Sequence, residues 1–225
     1  MTPRIPVTHL LLAAALVLPL VGAACSKPYY AAWEALGKMK PDLLIDRVQD
    51  ARKEQEEAKE QFGSALDRFS ELVAFQGGDL RAAYDRAKSD FDRCESQAND
   101  VHARVDAVEK VGEDLFDEWK KEIAQYESRD LASRSRSQLR ETNARFDDML
   151  RAMRRAEATM EPVLSAFRDQ TLFLKHNLNA QAVASLKGEV ASLERDIGAL
   201  IKEMERSIEE SERFIKQMEQ VPTQT

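Results

Sequence analysis

The sequence predicts an all-α fold, long antiparallel helices forming an extended coiled coil or four-helix bundle, and three observations carry that expectation. Only eight glycines and seven prolines punctuate 225 residues, and three of the prolines (Pro3, Pro6 and Pro19) fall within the first nineteen. Charged residues make up 32% and apolar residues 43%, with alanine, glutamate, lysine, leucine and arginine dominant, a composition typical of long helices. Beyond residue 40, apolar or small residues recur at alternating steps of four and three, a period that holds one seam against a partner helix. No alternating strand pattern interrupts it.

The first helix is expected over about 41–76, its seam running through Leu44, Val48, Ala51, Gln55, Ala58, Phe62, Ala65, Phe69 and Leu72, with Gln55 its one polar member. In "QGGDL" two glycines accept left-handed backbone angles and Asp79 can cap the next helix, so a hairpin follows. The second helix, about 79–127, carries its seam from Leu80 through Cys94, Gly112 and Trp119 to Tyr126 and spans roughly 70 Å. Ser128 and Asp130 offer caps for a third helix over about 130–177, whose seam stays in phase from Leu139 to Leu174 across Pro162. That continuity predicts a kink rather than a new domain. Asn177 and Asn179 tolerate turn geometry, and a fourth helix over about 180–219 carries Val183, Leu186, Val190 and onward to Ile208, Ser211, Ile215 and Met218. Residues 41–220 thus read as a single elongated bundle, with 221–225 a frayed tail. Because the helices differ in length, one end is expected to project as a two-helix segment whose seam could receive a partner or a second copy of the chain.

The first 24 residues read as a secretory leader. An uninterrupted apolar or small run over 10–25 follows a short segment bearing Arg4, the layout of a signal peptide. At 16 residues, with Pro19 and Gly22 inside it, it falls short of the roughly 20 apolar residues of a membrane span. The box Gly22-Ala23-Ala24-Cys25 resembles that of a bacterial lipoprotein signal, with glycine where leucine is usual; cleavage before a diacylated Cys25 and ordinary cleavage at Val21-Gly22-Ala23 both fit these residues. Under the lipoprotein resemblance, Ser26 is not the aspartate that retains such proteins in the inner membrane, so an outer-membrane, periplasm-facing location is implied. Residues 25–40 would then be a tether with a short aromatic turn. Tyr29, Tyr30 and Trp33 combine an apolar body with a polar tip, the chemistry of the membrane interface; packing against the bundle end is the equal alternative.

Formal charge is −7, from 33 basic and 40 acidic side chains, and removing the leader's single Arg4 leaves −8. Such a chain is poorly suited to general phosphate-backbone binding, so no nucleic-acid partner is expected. Arginines 129, 134, 136, 140, 145, 151, 154 and 155 nevertheless outnumber Asp130, Glu141, Asp147 and Asp148 in the third helix. Anionic lipid, a cell-wall polymer or nucleic acid would suit that stripe. The favoured expectation is pairing within the bundle, with Arg145 near Glu212 and Arg154 near Glu203, since flanking charges set helix register.

Chemistry that would mark an enzyme is missing from the motifs. There is no phosphate-cradling G-x-x-x-x-G-K-[ST] loop, no Cys-x-x-Cys, and no glutamate three residues before His102 or His176 to build an inward carboxylate–histidine metal site. Cys94 on the seam reads as a small buried hydrophobe, and Met149, Met153 and Met160 as adaptable core. A non-enzymatic protein without cofactor or metal is expected: a tethered structural or adaptor rod or, alternatively, a soluble periplasmic protein binding a ligand or client through an exposed seam. Its partners would be the membrane, through the lipid, and a protein or second copy, through the coiled coil.

Polar residues gather at one turn, in "PVLSAFRDQTLFLKHNLNAQAVASL": Arg168, Asp169, Lys175, His176, Asn177 and Asn179. They form the candidate binding patch, although asparagines that cap helix ends and cations that sit at a helix C-terminus account for most of them. The same stretch, from Phe167 to Ala180 above all, resembles the bacterial domain-of-unknown-function family DUF2959. That resemblance implies an exported or lipoprotein-type helical protein and implies no activity.

Overall fold

The computed structural model describes residues 39–74, 77 and 79–220; the leader, Cys25, Tyr29, Tyr30, Trp33 and the last five residues lie outside the described residues. Among the described residues six helices follow in order: α1 (Lys40–Val73), α2 (Leu80–Ile123), α3 (Arg129–Ala158), α4 (Met160–His176), α5 (Ala180–Ser185) and α6 (Lys187–Gln220). No strand occurs among the described residues. The helices start where short polar side chains satisfy free backbone donors. Asp79 accepts from the Ala82 N–H at 3.0 Å, Ser128 from Leu131 at 3.4 Å and Asn179 from Ala182 at 3.0 Å. For α1, Pro41 occupies the first turn, where its missing donor costs nothing.

Packing closes a ring of four. The α1 helix lies against α2 and α6, and the α3–α4 line lies against the same two, so the long helices alternate in direction as an up-and-down bundle. The nine seam residues from Leu44 to Leu72 are all buried, as are Phe146, Met149, Met153, Ala156, Met160, Val163, Phe167, Gln170 and Leu174 along α3 and α4. Pro162 does its work four residues upstream: its ring opposes the carbonyl of Ala158, which is where α3 ends. Thr159 interrupts the helix for one residue, its hydroxyl donating to the Ala156 carbonyl at 2.7 Å, and α4 resumes in phase.

Three core features depart from a plain apolar seam. A β-carbon on Gly112 would meet the Phe146 ring at 2.2 Å, so this glycine lets the ring reach the centre, where it stacks edge-on with Phe116 at 5.3 Å and Phe214 at 5.9 Å. Between α1 and α6, Ser207 Oγ donates to Gln55 Oε1 at 2.8 Å, while Gln55 Nε2 is buried without a partner. Ser207 rather than Ile208 therefore completes that layer, and Ile208 is only half-buried. Near the α1–α2 turn, Asp90 is fully buried, held by Arg93 and by Arg68 Nε at 2.9 Å, off the hydrogen-bonding axis.

Lys40 Nζ lies 2.5 Å from Glu118, so α1 enters the bundle level with that residue. The pairs Arg52–Glu212 (2.9 Å) and Lys59–Glu205 (3.6 Å) set the end of α6 level with Leu44. Past Glu118, only α2, its turn and the first turns of α3 continue among the described residues. Among the described residues this end is a two-helix tip, tied by Trp119 Nε1 donating to Ser135 Oγ at 2.8 Å. At the opposite end lie the α1–α2 turn and the elbow between α4 and α5, about 50 Å away by the 34 residues of α1 at 1.5 Å per residue.

Candidate functional site

At the elbow, the candidate patch resolves into helix-ending parts and exposed parts. Asn179 is spent as the α5 cap, and Asn177 Nδ2 donates to the Phe173 carbonyl at 3.0 Å. Arg168 turns away to Glu95 on α2 at 2.7 Å, which holds its guanidinium firmly charged. Asp169, Lys175 and His176 are exposed; the two cations occupy the last turn of α4, the favourable end of the helix dipole. Arg168 and Asp169 lie within α4, about two helical turns before Lys175 and His176, with Arg168 directed into the bundle's own ion pairing.

Leu172 and Phe173, between those polar residues, are 50% and 42% exposed and went unmarked in the seam pattern. They stand three and four residues beyond Asp169, Leu172 on the side of α4 opposite Gln170 and Phe173 at the edge of the buried face. No acidic residue occurs between Gln170 and Gly188, and Lys175, His176 and Lys187 make no ion pair. The signal was available: two large apolar residues off the seam of an otherwise strict repeat.

The basic stripe of α3 divides into two halves. In its second half Arg151, Arg154 and Arg155 pair, the last two not as expected. Arg155, not Arg154, meets Glu203 on α6 at 3.6 Å, whereas Arg154 turns to α2, reaching Asp106 at 2.7 Å and Glu109, with Glu157 of its own helix at 2.9 Å. Glu212 is taken by Arg52 of α1, leaving Arg145 without an ion pair. Arg154 and Arg155 stand about 100° apart around the helix, one on the flank facing α2 and the other on the flank facing α6, so a one-residue difference in register changes the partner helix. His102 joins this α2–α3 cluster, bonded to Glu157 and 3.4 Å from Asp106; the Glu157 hydrogen bond and the two carboxylates raise its pKa.

In the first half of α3 Arg134 pairs with Asp130 at 2.9 Å, while Arg129, Arg136 and Arg140 make no ion pair. Six described arginines make no ion pair, Arg86, Arg129, Arg136, Arg140, Arg145 and Arg195, and four of the six fall between 129 and 145. Beside them at the tip, Tyr126 and Leu131 are each 47% exposed.

Cys94 is fully buried, its thiol 3.7 Å from the Gln61 carbonyl, and burial pushes its pKa up to about 12, which makes it an inert seam residue.

The fold and these ends define a class, an elongated antiparallel helical bundle whose exposed apolar residues sit at its two ends. The family model described as "Protein of unknown function (DUF2959)" matches residues 29–218, and the chain belongs to this family. No curated protein matches it.

Proposed function

We propose that the chain is a non-enzymatic, lipid-tethered rod of the bacterial cell envelope, attached through Cys25 to the outer membrane and facing the periplasm, with Tyr29, Tyr30 and Trp33 at the bilayer interface. One observation carries the reading. The polypeptide leading from Cys25 enters the bundle at Met39, at one end, while the acid-free elbow with exposed Leu172 and Phe173 stands at the other. A protein held at its entry end would present the elbow about 50 Å from the point of attachment, the arrangement of a spacer or adaptor. The alternative of a soluble protein receiving a client along an open seam has less support, because the seam of α1 and of α3–α4 is filled by the bundle itself.

Metabolic labelling with a fatty acid tests the tether. Label is expected on the wild type and not on Cys25→Ala; an unlabelled wild type removes the tethered reading.

A further inference from the structure

We propose that the α2–α3 tip is a docking surface for an anionic lipid bilayer. The proposal deepens the tethered-rod reading, and it is tested without the tether so that either can fail alone. Three observations converge on it. First, Arg129, Arg136 and Arg140 are exposed and free of ion pairs, whereas most arginines along the bundle are neutralised by neighbouring carboxylates. Steps of seven and four residues place the three on one flank of α3. From Glu118 to Arg145, five arginines with Lys120 and Lys121 stand against Glu118, Glu122, Glu127, Asp130 and Glu141, a small basic excess in a chain of net charge −7.

Second, the turn supplies apolar contact where the cations begin. Tyr126 and Leu131 flank Arg129, and Met39 is also exposed at this end. An aromatic and a leucine at the projecting point, with arginines behind them, match the two layers of a bilayer surface: apolar groups below the headgroups and cations among the phosphates. Arg136 and Arg140 lie about 10 and 16 Å along the helix from Arg129, so a hairpin leaning on the surface brings all three within about a Debye length of it.

Third, the position is right. The tip projects at the same end at which the chain enters from Cys25, and the 14 residue steps from Cys25 to Met39 reach at most about 50 Å. A bilayer holding an acylated Cys25 therefore lies within reach of the tip. The elbow has its own exposed apolar pair and cations, but it stands at the far end of the bundle.

The test uses the full chain carrying Cys25→Ala, so that no acyl group contributes, with vesicles of phosphatidylcholine alone or mixed with phosphatidylglycerol. Salt-sensitive binding to the mixed vesicles is expected, with little to phosphatidylcholine. Each arginine near an anionic surface is worth about a fivefold change in partitioning, so Arg129→Gln/Arg136→Gln/Arg140→Gln should weaken binding about a hundredfold. The elbow control Lys175→Gln/Lys187→Gln should change it less than twofold. Because the three arginines are unpaired, the triple variant should melt with the wild type, and a second variant, Tyr126→Ser/Leu131→Ser, should weaken vesicle binding without lowering binding of soluble heparin. The proposal is overturned if the mixed vesicles fail to bind, if the elbow control loses as much as the tip variant, or if heparin competes for the chain as tightly as the lipid surface and the Tyr126/Leu131 change has no effect.

Discussion

The tip and the elbow look alike in composition and differ in what their charges do. Both expose two large apolar residues, Tyr126 and Leu131 at one end and Leu172 and Phe173 at the other, and both carry cations without ion pairs. At the tip, Arg129, Arg136 and Arg140 share one flank of α3 that runs from the turn back past the level of Trp119 and Ser135, with Glu122, Glu127 and Asp130 close by in the chain. At the elbow, the strongest cation of the motif, Arg168, is drawn to Glu95, and the exposed Leu172 and Phe173 stand in an acid-free stretch, beside the polar caps of a short turn. A projecting cationic flank suits an extended charged surface; a compact apolar pair framed by caps suits a side chain or helix of a partner protein. Similar residue types at the two ends of one bundle thus present different surfaces, and local ion pairing makes the difference.

That contrast requires a rigid shaft, and the largest expected effect is on the shaft. Gly112→Ala gains about 1 kcal/mol of helix propensity but drives a methyl group into the Phe146 ring, an overpacking that costs about 1–3 kcal/mol or more. A lower thermal midpoint is expected, by several degrees; a higher one would show that Phe146 does not fill the space above Gly112. The double change Gln55→Leu/Ser207→Ala acts oppositely, removing a buried amide donor that has no partner and stabilising the bundle by about 1 kcal/mol in a denaturant titration. Should it destabilise instead, the lone Gln55 donor is satisfied after all.

At the elbow, Leu172→Ser/Phe173→Ser should leave the melting curve within about 0.5 kcal/mol of wild type, as for other exposed sites, while abolishing protein crosslinks formed in cells from a photoreactive group at Lys175. Persistence of the same crosslinked partner would detach Leu172 and Phe173 from any docking role. The smallest effect concerns His102. Its folded pKa is raised, so its stabilising contribution is complete below the ordinary value near 6.5 and fades as pH rises through the folded value. Stability should fall slightly from pH 6 towards pH 8 in the wild type, and His102→Gln should flatten that slope. The side chain is largely exposed, which keeps the change at the low end of surface ion pairs.

Most of the architecture could be read from periodicity, because a four-three repeat records which face is buried regardless of partner. The caps at Asp79, Ser128 and Asn179 and the in-phase continuation past Pro162 followed from the same local rules. Several features did not. The break at Leu186 carries neither proline nor a polar cap; Ser185 bonding back to the Ala182 carbonyl at 2.7 Å, next to Gly188, marks it only in three dimensions. Buried Asp90 next to Phe91 reads as a surface acid until Arg68 and Arg93 are brought around it. The arginine stripe was visible, but its division was not: pairing depends on which flank of α3 each arginine occupies, and a register count gave Arg154 and Arg145 the partners that Arg155 and Arg52 take. The exposed pair at the elbow was readable in principle as two residues off the seam.

The central claim, that the tip faces the membrane and the elbow faces away, can be tested by the depth of two labels. With Cys94 buried and inert, single cysteines replacing Tyr126 or Phe173 in the Cys25→Ala chain can carry a fluorophore on phosphatidylglycerol vesicles containing a lipid-borne quencher. Strong quenching at 126 and none at 173 is the expected result; equal quenching at both, or quenching at 173 alone, contradicts the account.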